Sequence, residues 1–389
     1  MLIGVPKEIF PGERRVAIAP VVLPALAKAG FEVILETGAG VAAACPDEEF
    51  RAKGARIAST RAEVFKTADL IAQVLCYGSN MENGRDDLPL LRKGQFLVGF
   101  MRPLDGAKTV QEIAATGAVS FALELMPRIT RAQSMDALSS MATLCGYQAV
   151  IRAAYTLPRI FPMLTTAAGT VTPARVLIIG AGVAGLQAIA TARRLGAVAS
   201  AYDLRPDVKE QVLSVGGRFV ELPIEASNAQ DERGYARAQD KAFYDRQREL
   251  LGKVVAEHDV VITAAVVPGR KPPLLLTREM VHGMEPGSVI VDLAAERGGN
   301  CELTRANEIV AENGVSVIGT INLASSVPYH ASQLYARNIT NFVTHVFKGG
   351  KPDLNPEDEI TRETLLTQNG EVVNKRVREF FAQSAPSAS

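Results

Sequence analysis

Hydrophobic positions along the chain fall into short unbroken runs separated by segments with apolar spacing of three and four. The runs at 2–5, 70–75, 96–100 and 119–122 lack the polar alternation of a half-exposed strand. Their length and apolar content predict buried strands. A further strand over 32–36 precedes a turn at Thr37 to Gly40, and a helix over 20–29 is ended by Gly30. The middle of the chain repeats the pattern more cleanly. Strands are predicted at 175–179, 198–202, 218–222, 259–265, 288–293 and 315–319, with helices over about 183–195 and 207–215. Such alternation makes the chain α/β, with parallel sheets covered by helices on both faces. The polar stretch between 222 and 246 is too long for an ordinary connection and reads as a surface loop, or a loop plus an exposed helix. Helical spacing over 332–346 (Leu334, Ile339, Phe342, Val343, Val346) returns the chain to its first domain. The remainder from 349 reads as irregular, with a frayed end.

Composition narrows the class. A chain of 389 residues exceeds what one core serves, and at about 150 residues per domain two or three are expected. Hydrophobic residues at 47% and charged residues at 22% are the balance of a folded protein. Lysine plus arginine and aspartate plus glutamate both number 42, so no broad attraction to nucleic acid is expected. Cys45, Cys76, Cys145 and Cys301 form no CxxC pair, which fits free thiols in a reducing, cytoplasmic compartment. His258, His282, His330 and His345 form no metal-binding pattern, and no metal is expected. The first ten residues lack the features of a signal peptide. The most apolar run, 176–192, carries three glycines and Gln187 and falls short of the roughly 20 residues of a membrane span.

Those glycines have a different purpose. A buried strand over 176–179 runs into Gly180, Gly182 and Gly185 at GxGxxG spacing, and a helix follows from Val183. Gly180 permits a tight turn, Gly182 lets the backbone approach a pyrophosphate, and Gly185 allows close packing of the helix. The helix N-terminus offers unpaired N–H groups to phosphate. Asp203 stands at the end of the next strand, where a carboxylate accepts from a ribose diol and repels a 2′-phosphate. NAD(H) is therefore favoured over NADP(H), although Arg205 could serve a 2′-phosphate. The six middle strands are what a dinucleotide-binding Rossmann domain requires.

A second segment, ELMPRITRAQSMDALSS, holds a polar stretch from Arg128 through Arg131 and Gln133 to Asp136 before a helix over 137–155. Asp136 has the look of an N-cap with Ser139 at the third helical position, and capping leaves ligand contact open. Asp292 and Glu296 follow the fifth middle strand and fit either a ligand contact or a cap. Lys7, Glu8, Arg14 and Arg15 read as solvated or interdomain ion pairs.

These two segments, with VPKEIFPGERRVAIAP, TAAVVPGRKPP and GSVIVDLAAERGGNCELT, closely resemble the NAD(H)-binding domain of proton-translocating nicotinamide nucleotide transhydrogenase, over nearly the whole chain. The more general stretches are shared with alanine dehydrogenase, while RITRAQSMDALSS is similar to the transhydrogenases alone. The resemblance implies two Rossmann-like doubly wound domains with a nucleotide cleft between them: residues 1–135 with 327–389, and 136–326. It implies direct hydride transfer between NAD(H) here and NADP(H) on a partner domain. Arg128, Asp136 and Ser139 would surround the nicotinamide and diphosphate, and Gln133 would reach toward the NADP nucleotide. Gly180, Gly182, Val183, Gly185, Asp203, Arg205, Ala264 and Ala265 would line the NAD(H) site. Tyr235, in a GYA triplet of the long polar stretch, would belong to a loop closing over the nucleotide. The implied assembly is a homodimer, peripheral to the inner membrane through an NADP(H)-binding domain and a proton-channel subunit and active only with them.

Alanine dehydrogenase is the rival. That family needs a lysine and a histidine in its first domain to bind and deprotonate the amino acid. The matching positions here carry Gln73, Leu75 and Arg102, which counts against amino-acid oxidation. A non-catalytic NAD-binding regulatory protein is a third possibility, disfavoured by the polar segment at 128–139. CYGSNMENGRDD, over 76–87, departs from the transhydrogenase pattern.

Overall fold

The computed structural model describes residues 1–224, 241–267 and 269–384. The chain divides into two compact units, Met1–Met141 with Ser325–Ser389, and Ala142–Ala324. The helix Ala137–Thr156 begins in the first and continues in the second.

The first unit is built on an eight-stranded sheet. From one edge its order is Glu371–Val372, Leu365–Gln368, Val119–Ala122, Phe96–Phe100, Leu70–Leu75, Leu2–Val5, Glu32–Glu36 and Arg56–Ala58. The strands from Val119–Ala122 to Arg56–Ala58 pair in parallel, as their apolar runs require. The helix Pro328–Val346 packs with Tyr335, Ile339, Phe342, Val343 and Val346 fully buried. Phe342 and Phe347 both meet the ring of Phe121 edge-on.

Two elements of this sheet escape the hydrophobic pattern. Arg56–Ala58 is a three-residue edge strand with one buried side chain. The tail is not irregular: Asp358 caps a helix over Glu359–Thr364, and Leu365–Gln368 joins the sheet antiparallel to Val119–Ala122. That strand is held by polar groups. Thr367 Oγ1 lies 2.7 Å from Ser120 Oγ and donates to the Ala118 carbonyl at 3.0 Å, all buried, so no apolar run announces it.

The second unit carries a seven-stranded sheet in the order Arg218–Phe219, Val198–Tyr202, Arg175–Ile179, Val260–Thr263, Val289–Asp292, Val315–Gly319, Ile309–Glu312. The first six are parallel and follow the Rossmann order, with the strand that enters the glycine turn in the middle. The third predicted strand is shorter than expected, ending at Phe219. The seventh strand is antiparallel and has no counterpart among the predicted ones. Asn313 and Gly314, both at positive φ, make the two-residue hairpin turn that joins it to Val315–Gly319. Asn-Gly between strand-like runs is the strongest short-range hairpin signal, so this edge is legible in the sequence.

Candidate nucleotide site

The glycine turn follows the central strand Arg175–Ile179, four of whose residues are buried. Gly180 has φ of 102°, a left-handed conformation that disfavours side chains. A Cβ on Gly185 would lie 2.0 Å from the Gly180 carbonyl oxygen, so the close approach of helix to strand depends on its absence. Gly182 differs. A Cβ there would meet nothing within 4 Å, so its own fold does not explain why this position lacks a side chain. Gly182 is the N-cap of the helix Val183–Arg194 and supplies no side-chain cap, which leaves the first-turn amides to an incoming anion. Open space beside uncapped amides is a cradle that fits a pyrophosphate.

Asp203 follows the neighbouring strand and is 9% exposed. Its Oδ2 accepts from the Ala181 N–H at 2.7 Å, which fixes the carboxylate against the glycine turn. Arg205 takes the same group from the other side: its backbone N–H and Nε donate to Oδ1 at 2.8 and 2.9 Å, and Nη2 donates to Oδ2 at 2.8 Å. Ala264 and Ala265 follow Val260–Thr263 on the other side of the central strand. Ala265 is clamped by Asn300, whose Oδ1 accepts from its N–H at 3.2 Å while Nδ2 donates to its carbonyl at 2.9 Å. Asn300 is fully buried and escapes sequence reasoning, because nothing local marks an asparagine that serves a distant strand end.

Gly180, Gly182, Val183, Gly185, Asp203, Arg205, Ala264 and Ala265 thus gather at the carboxyl edge of one sheet, where open α/β sheets bind their ligands. Asp292 is at that edge but fully occupied. Its carboxylate accepts from Thr263, Thr304 and the N–H groups of Ala294, Asn300 and Cys301, which makes it a structural hub. Tyr235 lies outside the described residues.

Arg128, Gln133, Asp136 and Ser139 belong to the first unit. Residues Thr130–Met135 form a 3₁₀ turn that buries Ala132 and Met135 and leaves Arg131, Gln133 and Ser134 exposed. The turn is anchored at both ends. Asn338 and Asn341 donate to the Ser134 carbonyl at 2.9 and 3.1 Å, and Arg131 pairs with Asp358 at 2.8 Å. Asp136 caps the helix it precedes, accepting from the Ser139 N–H at 3.0 Å and from its hydroxyl at 2.5 Å.

The N-terminal charged cluster is not solvated. Arg15 and Glu13 form a buried ion pair at 2.6 Å, and Glu8 accepts from the Val74 and Leu75 N–H groups at 2.6 and 3.2 Å. Burial, reinforced by Glu13, pushes the Glu8 carboxyl up to about 8. Burial likewise pushes Glu124 up to about 7, against the N–H groups of Arg102 and Met101 that donate to it. Gln73, 2% exposed, gives its amide N–H to Asp87 at 3.0 Å. Among the described residues no group of three or more His, Cys, Asp or Glu is placed to hold a metal ion.

Comparison with known proteins decides the family. Residues 4–145 match the alanine dehydrogenase/PNT N-terminal domain and residues 149–375 the C-terminal domain. The chain belongs to the alanine dehydrogenase/PNT family. It is 47% identical over 377 residues to an NAD(P) transhydrogenase alpha subunit of Rhodospirillum rubrum, covering 96% of this chain and 98% of that protein. Among solved structures, the transhydrogenase from Sinorhizobium meliloti aligns with a TM-score of 0.82 at 41% identity, over 97% of this chain and 100% of that one. An L-alanine dehydrogenase aligns with a TM-score of 0.79 at 25% identity, over 99% of this chain and 100% of that one. Both branches of the alanine dehydrogenase/PNT family therefore share the two-domain Rossmann-like architecture described above. The identities support a transhydrogenase-related oxidoreductase that binds a nicotinamide nucleotide.

Proposed function

We propose that the chain is the NAD(H)-binding component of a proton-translocating nicotinamide nucleotide transhydrogenase. The bound nicotinamide supplies the hydride chemistry, passing hydride directly to or from NADP(H) on a partner domain. The protein's own work is then positioning and exclusion of water, with little need for acid–base groups. The observation that carries this reading is the state of Gln73. Where alanine dehydrogenases hold a lysine, a buried amide is tied to Asp87, and Leu75 and Arg102 complete a set without an amino-acid base.

In this reading the Gly180–Gly185 turn holds the diphosphate and Asp203 receives the adenosine ribose diol. Val183, Ala264 and Ala265 line the bound nucleotide. Arg128, Asp136 and Ser139 meet the nicotinamide and diphosphate, and Tyr235 closes over them. Gln133, on its anchored turn, faces the NADP nucleotide of the partner. The partners are an NADP(H)-binding domain and a membrane proton-channel subunit, which would hold this chain at the cytoplasmic face of the inner membrane. Among the described residues no helix is long and apolar enough to cross a membrane. Homodimerisation is supported by the stretch that follows the helix Ala137–Thr156. Tyr155 there is 93% exposed, and Ile160, Met163, Leu164 and Val171 are exposed on and beside the hairpin of Leu164–Thr166 and Gly169–Val171.

The rival is tested by incubating the chain with L-alanine and NAD⁺. No NADH should form, while NADPH with an NAD⁺ analogue should react only once the NADP(H)-binding domain is added. Alanine-dependent NADH formation by the chain alone would overturn the assignment.

A further inference from the structure

The carboxylate of Asp203 has about four acceptor positions. Four N–H groups of the chain fill them: Ala181 N–H and Arg205 Nη2 on Oδ2, and Arg205 N–H and Nε on Oδ1. Two of these donors are backbone and stay wherever the strand ends stay. The other two belong to one guanidinium, one donor to each oxygen, in the bidentate form that arginine makes with carboxylates. A ribose diol also presents one donor to each of two acceptors. The Arg205 side chain therefore occupies the two positions that vicinal hydroxyls would take, and it does so under shelter, with side-chain exposures of 13% for Arg205 and 5% for Asp203.

From this geometry we infer that Arg205 is an internal competitor for the adenosine ribose: its guanidinium must leave Asp203 before the 2′- and 3′-hydroxyls can bind. The inference rests on the nucleotide-site reading above and adds to it a residue that sets affinity by opposing the ligand. It also explains how an arginine two residues from Asp203 coexists with a preference for an unphosphorylated ribose. The guanidinium is committed to the carboxylate that would repel a 2′-phosphate.

The test is equilibrium binding of NADH, followed by its fluorescence, to the full chain and to Arg205→Met, which keeps the length of the side chain and loses its donors. Removing a part-sheltered ion pair from the unbound state should lower the NADH dissociation constant by about three- to tenfold. ADP should gain similarly, and 2′-deoxy-ADP, which has one hydroxyl fewer, should gain less. In an Asp203→Asn background the Arg205→Met change should bring no gain. Arg205→Lys, with a single ammonium in place of the fork, should show a smaller gain in the same direction and serves if the methionine variant melts early. Unchanged or weaker NADH binding by both variants overturns the inference, as does an equal gain for ADP and 2′-deoxy-ADP. Failure of the unsubstituted chain to bind NADH at all would instead overturn the nucleotide-site reading on which it rests.

Discussion

Three glycines with one sequence signature do different things, and substitution separates them. Gly185→Ala forces a Cβ to 2.0 Å from a backbone oxygen and should cost about 3 kcal/mol of stability. Gly182→Ala meets open space at an ordinary backbone conformation, so its melting temperature should stay close to that of the unsubstituted chain. If Gly182 is bare so that a pyrophosphate can approach, the same variant should bind NADH at least tenfold more weakly, about 1.4 kcal/mol. Thermal melts and NADH titrations on the two variants check this pair, and undiminished binding by Gly182→Ala would remove its assigned role. Glu124 makes a second residue-scale prediction. Its carboxyl is pushed up from 4.5 to about 7 by burial, so between those values the folded chain holds a proton that the unfolded chain has released. Its contribution is complete below 4.5 and is lost as pH rises through about 7. Glu124→Gln removes that loss. Its melting temperature should move ahead of the unsubstituted chain as pH goes from about 5 to about 8, by up to about 3 kcal/mol in stability. A gap that stays constant across that range would contradict the assignment. Glu8 titrates with the same sign, so the pH dependence should flatten only partially.

At the scale of elements, the 3₁₀ turn Thr130–Met135 shows how a polar segment is made rigid. Asp358 joins it to the tail: one carboxylate oxygen takes Arg131, and the other takes His345 and the N–H and hydroxyl of Thr361. Burial alone would raise the Asp358 carboxyl, but His345 and the two Thr361 donors outweigh it and hold it well below the usual carboxylate range. That stability is present above the ordinary value of 3.8 and is lost as pH falls below it. Asp358→Ala should cost about 1–3 kcal/mol at neutral pH, read as a fall in the denaturation midpoint, with a penalty that shrinks in acid. The strands that are legible in the sequence are those whose side chains are buried on both faces, since a run such as 175–179 has no other use in a folded chain. The tail strand Leu365–Gln368 is hidden because it is fixed by Thr367 and Ser120 through hydrogen bonds, and an edge strand needs only a few apolar contacts. The Asn313-Gly314 turn carries a readable signal, but hydrophobic patterning misses the strand before it because Ile309–Glu312 is largely exposed.

At the scale of the whole molecule, the parallel order of the second sheet follows from hydrophobic runs and glycine placement, and its candidate site follows from the same residues. The Asp292 hub and the Asn300 clamp are not readable, because their partners lie up to 35 residues away along the chain. The surfaces that would meet partner chains leave no periodic trace in sequence, so the family resemblance alone brings Gln133 forward. The central claim, that hydride leaves a nucleotide on this chain and arrives on a nucleotide held by another, is tested most directly with isotope. NADH carrying deuterium at the transferred C4 position would be mixed with the chain, a purified NADP(H)-binding transhydrogenase domain and NADP⁺ in ordinary water. The account predicts NADPH that retains the label in full, formation that requires both proteins, and loss of transfer but not of NADH binding in Gln133→Asn. NADPH that has exchanged its label with solvent, or NADH oxidation that proceeds without the partner domain, would contradict it.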